Sequence, residues 1–323
     1  MARWYFAQCE LVQGRWAGGW KSYGSRFAAG ASPYRPMPYP VWDGRSALDQ
    51  NLLILADQGL GDEIMFASCF SEAKNLVGHC IVECDPRLAV LFRRSFPEIT
   101  FLPSNREPDG SWLRGNPTPH WQIFGGDLPA LFRTTEAAFG GGHAYLKADA
   151  GSVARWRLRL QKEFGSKPKV GISWRGGTIG TRTLNRSIGQ NDWGPILTRT
   201  EYAFVNLQYG DSEVERKALE SWHDCRIAHF PEAIENYDET AALVTALDAV
   251  VTVCTSIVHL TGALGKPVYI LVPFSPGFRY TLGRARMPWY ASSRMFRQAS
   301  PGDWRAPMES IAQNLKELTK NVN

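Results

Sequence analysis

Short apolar runs alternate along the chain with segments whose apolar residues recur at helical spacing, beginning near Asn51. The apolar runs, which are bounded by polar or glycine-containing turns, predict buried strands. In the first half of the chain these strands are predicted at 52–56, 79–84, 99–102 and 120–124. The segments between them predict helices at 61–77, 86–95 and 128–133.

The same alternation begins again after Lys167-Pro168. Strands are predicted at 169–174, 203–208, 225–230, 248–253 and 267–272, and helices at 151–164, 191–199, 212–221, 237–246, 256–264 and 303–320. Strands and helices that alternate at this spacing indicate βαβ units and parallel sheets. We therefore predict an α/β fold with two Rossmann-like domains that face a cleft, because open α/β sheets bind ligands at the carboxyl ends of their strands.

The first 44 residues do not follow this alternation. Residues 3–27 predict a helix that ends near Gly18-Gly19, followed by a second short piece, and the proline-rich stretch 31–44 predicts an irregular linker. The expected organisation is a helical segment and linker at 1–44, a first Rossmann-like domain at 45–150, a second at 151–302, and a C-terminal helical segment at 303–323.

Composition and charge narrow the possible partners. A net charge of +5 on 323 residues is too mild to indicate a nucleic-acid-binding stripe. The N-terminus lacks the apolar core of a signal peptide, and we see no apolar run of membrane-spanning length. Six cysteines without a C-x-x-C pair indicate reduced thiols, so we expect a cytoplasmic protein. From the mild net charge we expect that it binds no nucleic acid.

The turn Gly59-Leu60-Gly61-Asp62-Glu63 joins a predicted strand to a predicted helix and allows two interpretations. Glycine could supply the backbone angles of the turn, and the acids could cap the helix and favour its dipole. Alternatively, the turn could be a ligand site at the carboxyl end of a parallel strand. The turn alone does not decide between them.

Two further turns carry candidate chemistry. The loop 175–182 follows a predicted strand and contains Arg175, Gly176 and Arg182, which suit an anion but also an ordinary surface loop. After the strand 248–253, Thr255 or Ser256 would cap a helix whose free amides form a natural diphosphate site. His259 in the first turn of that helix could contact phosphate or sugar, or could be a structural histidine.

Several segments in this order resemble a known family. They are GLGDEIMFA (59–67), VGISWRGG (170–177), RSI…W (186–193), FVNLQYGD (204–211), DETAALVTALDAVVTVCTSIVHLTGALGKPV (238–268) and PWY…R-F-R-Q…GDW (288–304). The likeness covers roughly residues 45–318. This part of the chain resembles the glycosyltransferase domain at the C-terminus of many bacterial tetratricopeptide-repeat proteins. That domain is similar to the heptosyltransferases of glycosyltransferase family 9. The N-terminal helix looks like the last helix of such a repeat array.

The resemblance implies a GT-B fold, a nucleotide-sugar donor in the C-terminal domain and an acceptor in the N-terminal domain. Asp62 matches the catalytic base for an inverting attack by a protein or glycan hydroxyl. Gly59 and Gly61 would let the substrate approach the backbone. The C-terminal helix 303–323 would cross back to the N-terminal domain. Donor-binding residues would be Trp174, Arg175, Gly176, Arg182, Gln208, Thr255, Ser256 and His259.

The chain contains no Asp-x-Asp pair, which suits a metal-free mechanism in which arginine and helix amides take the charge of the leaving group. Members of the family usually carry Asp where this chain has Cys254. That departure keeps open a catalytically silent sugar-nucleotide-binding or scaffold module. A sugar-nucleotide 2-epimerase would need more acids and histidines than Asp62 and His259. A dinucleotide oxidoreductase is disfavoured, because the glycine turns do not spell G-x-G-x-x-G.

Overall fold

A computed structural model describes residues 1–107, 109–177 and 183–320. The chain divides into two compact units. The N-terminal unit comprises Met1–Lys147 together with Gly277–Leu282, and the C-terminal unit comprises Ala148–Pro276 together with Gly283–Asn323. Arg182 therefore lies outside the described residues.

The N-terminal unit is built on a parallel sheet in the order β3-β2-β1-β4. Its strands are β1 (Ala47–Leu55), β2 (Val77–Cys84), β3 (Thr100–Pro103) and β4 (Trp121–Phe124). The helices that follow them are α3 (Leu60–Ala67), α4 (Phe70–Lys74), α5 (Ala89–Ser95) and α6 (Leu128–Phe132). The single helix predicted at 61–77 is therefore two helices, because the Ser68 hydroxyl and the Cys69 amide donate to the carbonyls of Met65 and Phe66 and close the first one.

Two helices precede this sheet, α1 (Ala2–Val12) and α2 (Trp16–Tyr23). The predicted end at Gly18-Gly19 is wrong, because α2 runs through both glycines and the break lies at Gly14, where φ is +76°. A Cβ on Gly19 would lie 2.5 Å from Leu11 Cδ2. Gly19 thus allows close packing of the two helices, and both helices are part of the N-terminal unit rather than a separate segment.

The C-terminal unit contains a six-stranded parallel sheet in the order β10-β9-β8-β5-β6-β7. This is the doubly wound Rossmann order, with the reversal of strand order between β5 and β8. The strands are β5 (Lys169–Ser173), β6 (Ala203–Asn206), β7 (Ile227–Ala228), β8 (Ala249–Val253), β9 (Val268–Val272) and β10 (Ser293–Arg297). Strand β10 was not predicted, because its sequence SRMFR has two arginines and no apolar run.

The helices of this unit include α7 to α12, which lie between or before its strands, and α13, which follows β10. Their bounds are α7 (Ala150–Phe164), α8 (Gly194–Leu197), α9 (Glu213–His223), α10 (Pro231–Glu235), α11 (Tyr237–Ala246), α12 (Ser256–Ala263) and α13 (Arg305–Lys320). The expectation that α13 returns to the N-terminal domain is wrong. Met308, Ile311 and Leu315 on α13 are buried in the same hydrophobic cluster as the C-terminal strands.

Two observations concern membrane-spanning helices and disulfide bonds. Among the described residues, no helix combines the length and the apolar character that crossing a membrane requires. All six cysteines lie within the described ranges, and none of them forms a disulfide.

Candidate functional site

Asp62 lies in the first turn of α3, just beyond the carboxyl end of β1. The strand order of the N-terminal sheet reverses between β1 and β4, which is where open α/β sheets bind ligands. The Gly59 amide donates to Asp62 Oδ2 at 3.2 Å, and the Asp62 amide donates to the Gly59 carbonyl at 2.9 Å. Asp62 therefore caps its own helix, as the structural interpretation of this turn expected.

Neither glycine of this turn supplies left-handed backbone. Gly59 is extended, with φ −98° and ψ 170°, and Gly61 lies within α3. The left-handed residue is Gln58, with φ +61°, a conformation that is unfavourable for a side chain with a Cβ. The backbone interpretation of the glycines is thus wrong. The missing side chain of Gly59 leaves space beside Asp62, because a Cβ on Gly59 would meet only Asp62 Oδ2, at 3.5 Å.

Arg279 holds the second oxygen of the Asp62 carboxylate. Its Nε donates to Asp62 Oδ1 at 2.5 Å, its Nη2 forms an ion pair with the same oxygen, and Nη2 also donates to Gln58 Oε1 at 3.3 Å. Burial by itself disfavours the charged guanidinium, but the charge of Asp62 raises the pKa of Arg279 above its ordinary value. The two residues are 217 positions apart, so no local pattern indicated the pair.

Three buried carboxylates lie near the carboxyl ends of β1 and β2, and each pairs with an arginine from another segment. The pairs are Arg26–Asp57, Arg35–Glu83 and Arg106–Glu63. The carboxylates line a cavity of about 10 Å³, which is about the room needed for one water. Burial raises the pKa of Glu63 to about 7, against the opposing contacts from the Asp85 amide and Arg106. These charges offset one another, so this edge of the sheet is not a strongly charged surface.

In the C-terminal unit, the turns after β5 and β8 touch each other at the reversal of strand order. A Cβ on Gly176 would lie 3.1 Å from the Cys254 carbonyl oxygen and 3.2 Å from the Arg186 carbonyl oxygen. Arg186 Nη1 also donates to the Cys254 carbonyl at 3.1 Å. Gly176 is therefore needed for the close approach of two backbone segments.

The residues at the start of the β5 turn are held by two partners. Gln208 is wholly buried, and its Oε1 accepts from the amides of Trp174 and Arg175 at 3.1 and 2.8 Å. Arg175 Nε donates to Glu215 Oε1 at 2.9 Å, and Trp174 Nε1 donates to Glu215 Oε2 at 3.2 Å. Gln208 braces the turn, and its predicted contact with a nucleotide stays a prediction.

The turn after β8 starts helix α12. Thr255 is the N-cap, and its Oγ1 accepts from the Ile257 amide at 3.2 Å, while Ser256 is the first helical residue. His259 is buried, and its Nδ1 lies 3.0 Å from the hydroxyl of Tyr290. The Cys254 thiol donates to the Leu271 carbonyl at 3.6 Å, which fits a packed cysteine at a strand end.

The described ranges 1–107, 109–177 and 183–320 show no ready-made metal centre. Within them, no cluster of three or more His, Cys, Asp or Glu side chains is arranged to hold a metal ion.

Comparison with known proteins identifies the fold. No protein-family model matches the chain. Protein FlbA of Caulobacter vibrioides is 33% identical over 330 residues, which cover 95% of this chain and 54% of FlbA. The chain thus spans about half the length of this curated relative.

Solved structures match over most of the chain. The glycosyl transferase family 9 protein of Veillonella parvula superposes with a TM-score of 0.56 at 10% identity, over 84% of this chain and 97% of that one. The E. coli ADP-heptose lps heptosyltransferase II gives 0.55 at 14% identity, over 84% and 98%. The fold is that of the family 9 heptosyltransferases. The dodecameric iron-containing heptosyltransferase TibC, solved with ADP-D-β-D-heptose, gives 0.51 at 13% identity, over 86% and 78%.

In this heptosyltransferase fold, the residues predicted from the sequence fall into two groups. Gly59, Gly61 and Asp62 lie together in the N-terminal unit. Trp174, Arg175, Gly176, Gln208, Thr255, Ser256 and His259 belong to the C-terminal unit, on or beside the turns after β5, β6 and β8. The sequence interpretation missed Gln58. It also missed the four arginines that pair with Asp57, Glu83, Glu63 and Asp62, which are Arg26, Arg35, Arg106 and Arg279.

Proposed function

We propose that the chain is a glycosyltransferase that moves a sugar from a nucleotide-sugar donor to a hydroxyl of a protein or glycan. The observation that carries the proposal is the position of Asp62, at the start of the helix after β1 in a heptosyltransferase fold. Asp62 would take the proton of the acceptor hydroxyl, and the resulting oxygen would attack the anomeric carbon. The bond from that carbon to the diphosphate would break, and a single displacement of this kind inverts the anomeric centre.

On the donor side, we assign the diphosphate to the N-terminus of α12 and to the turn after β5. The first amides of α12 are directed out of the helix start, and a helix N-terminus favours negative charge. Gly176 leaves no side chain between the two turns. The leaving group's charge would then be taken by amides and arginine rather than by a metal held on an Asp-x-Asp pair, which the sequence lacks.

ADP-heptose is the donor to test first. The E. coli heptosyltransferase II carries this donor in its name, and TibC was solved in complex with ADP-D-β-D-heptose. We propose a cytoplasmic location, because six cysteines without a disulfide suit a reducing compartment. The proposed partners are the nucleotide sugar and the acceptor, with no nucleic acid among them.

The proposed function is tested by measuring both nucleotide binding and the turnover of nucleotide sugars. Thermal unfolding would be followed with ADP, UDP, GDP, CMP and dTDP, with EDTA or with Mg²⁺, because a ligand of the native state raises the melting temperature. Release of nucleotide would be measured from ADP-heptose and from UDP-, GDP- and dTDP-sugars. The acceptors would be methyl glycosides and a serine- and threonine-rich peptide. A melting shift and turnover that EDTA leaves unchanged, with an inverted anomeric configuration in the product, are the expected results.

A catalytically silent binding module is the second candidate. The observation that favours it is that Arg175 is already paired with Glu215 and that Cys254 occupies the position where Asp is usual. This candidate predicts a nucleotide-dependent rise in melting temperature with no turnover of any sugar in the panel. Turnover by the wild-type chain and its loss in Asp62→Asn would exclude it.

A further inference from the structure

The segment Gly277–Leu282 belongs to the N-terminal unit, although it follows β9 of the C-terminal sheet in the chain. Phe278 is buried, and its ring centre lies 5.7 Å from that of Trp20 and 5.4 Å from that of Tyr23, both on α2. The Leu282 amide donates to the Val12 carbonyl at the end of α1 at 2.6 Å. Helix α2 therefore contacts the start of this segment at Phe278, and the end of α1 contacts its last residue, Leu282.

The fixed segment places the Arg279 guanidinium against Asp62. The carboxylate then receives three donors: Nε and Nη2 of Arg279 on Oδ1, and the Gly59 amide on Oδ2. Gln58 Oε1 accepts both from Arg279 Nη2 and from the Tyr23 hydroxyl, the latter at 2.9 Å. Arg279 and Tyr23 thus stabilise the left-handed backbone at Gln58 through the side chain of this residue.

We infer that Arg279 is a positioning residue for the transfer reaction, because it fixes the plane of the Asp62 carboxylate toward the acceptor hydroxyl. This inference rests on the proposed function. Donors on both oxygens prevent the carboxylate from rotating, and 15% of the Asp62 side-chain surface stays open for a substrate. A base held in its working orientation needs no reorganisation when the substrate arrives, and a displacement of about 1 Å can cost about 100-fold in rate.

Helices α1 and α2 have a role in the proposed reaction through Arg279. Their contacts with Phe278 and Leu282 set the position of Arg279, and through it the position of the proposed base. A purely structural role for Arg279 would instead lower the stability of the N-terminal unit and leave the rate of the folded protein unchanged.

The test compares Arg279→Gln and Arg279→Lys with the wild-type chain, using the nucleotide sugar of the panel above that gives the fastest release. We expect Arg279→Gln to lower kcat by about 100-fold, with the KM for the donor changed by less than about threefold. Lysine keeps the charge but offers no planar fork, so Arg279→Lys should recover part of the rate. Arg45→Gln is the matched control, because Arg45 forms an exposed pair with Asp43 and its kcat should equal that of the wild type.

A double-mutant cycle separates the two roles of Arg279. If Arg279 acts through Asp62, then Asp62→Asn with Arg279→Gln should be no slower than Asp62→Asn alone. A wild-type kcat in Arg279→Gln, or losses that multiply in the double variant, would overturn the inference. If Arg279→Gln does not fold, a wild-type kcat in a folded Arg279→Lys would overturn it equally. Absence of turnover in the wild-type chain would overturn the proposed function itself, whereas wild-type turnover that only Asp62→Asn abolishes would overturn this inference alone.

Discussion

Replacing Arg26 by methionine should destabilise the N-terminal unit severely. Arg26 has no exposed surface, and its Nε and Nη2 lie 2.7 and 2.6 Å from Asp57 Oδ2. Its Nη1 lies 2.6 Å from Asp127 Oδ1, and the guanidinium stacks 4.1 Å from the ring centre of Phe27. Methionine fills similar space but leaves the Asp57 carboxylate, whose side chain is fully buried, without its cation.

The size of the destabilisation follows from the buried charge of Asp57 that the Arg26→Met variant leaves unpaired. Removing one partner of a buried ion pair costs about 3–5 kcal/mol, because the other charge stays buried without compensation. Asp57 keeps its contact with the Ser32 hydroxyl, which recovers only part of this cost. Asp127 can hydrate, since about a third of its side chain is exposed. We therefore expect a loss of about 3–4 kcal/mol in the free energy of unfolding.

The assay is urea denaturation followed by tryptophan fluorescence and far-ultraviolet circular dichroism. Arg45→Met is the control, since both partners of the Arg45–Asp43 pair are more than half exposed and such pairs contribute below about 1 kcal/mol. Adding Asp57→Asn to Arg26→Met should recover part of the loss, because it removes the stranded charge. A loss below about 1 kcal/mol in Arg26→Met would refute the assignment of a buried, stabilising pair.

Three further predictions concern the two sites. The raised pKa of Glu63, about 7 against an ordinary 4.5, means that the folded state binds a proton more tightly than the unfolded state. Its contribution to stability is therefore present below pH 4.5 and is lost as the pH rises through about 7. The wild type should lose on the order of 3 kcal/mol relative to Glu63→Gln between these limits, and parallel stability curves for the two proteins would contradict this. Gly176→Ala should weaken nucleotide binding and lower the melting temperature, because its methyl group would lie 3.1 and 3.2 Å from the carbonyl oxygens of Cys254 and Arg186. A variant with the melting temperature and the nucleotide affinity of the wild type would count against this close contact. Arg175→Ala should raise the nucleotide Kd by about tenfold if Arg175 leaves Glu215 for the diphosphate, and an unchanged Kd in calorimetry would place the phosphate elsewhere.

The sequence predicted most strands of both sheets, because buried parallel strands are apolar runs that local pattern identifies. Strands β5, β8 and β9 have this character, and each was predicted near its observed bounds. For β1 only the apolar second half was predicted, because its first residues, ALDQN, do not form an apolar run. Strand β10 was not predicted, since an edge strand that carries two arginines has neither an apolar run nor alternation. The expected return of α13 to the N-terminal domain came from the family resemblance, and an apolar stripe on a helix does not specify which core the helix packs on.

Asp62 could be found from the sequence as a candidate site residue, and the arginine that pairs with it could not. Asp62 lies in the first turn of the helix that follows β1, so its place at the carboxyl edge of the sheet is a local property. Arg279 reaches it from 217 positions away, and Arg26 reaches Asp57 from 31. Such pairs depend on how distant segments pack, and no spacing along the chain encodes them. The contrast between Gln58 and Gly59 has the same origin, because long-range contacts with Tyr23 and Arg279 stabilise the left-handed residue.

The central claim is that Asp62 is the base of a sugar transfer that needs no metal. The most direct measurement is the rate of nucleotide release and sugar transfer from ADP-heptose and the other panel donors by the wild type and by Asp62→Asn, both in EDTA. We predict turnover by the wild type and a loss of about 100-fold or more in Asp62→Asn, with the nucleotide-induced rise in melting temperature unchanged. Equal turnover by the two proteins would remove Asp62 as the base, and absence of turnover in a wild-type chain that binds nucleotide would identify a silent binding module instead.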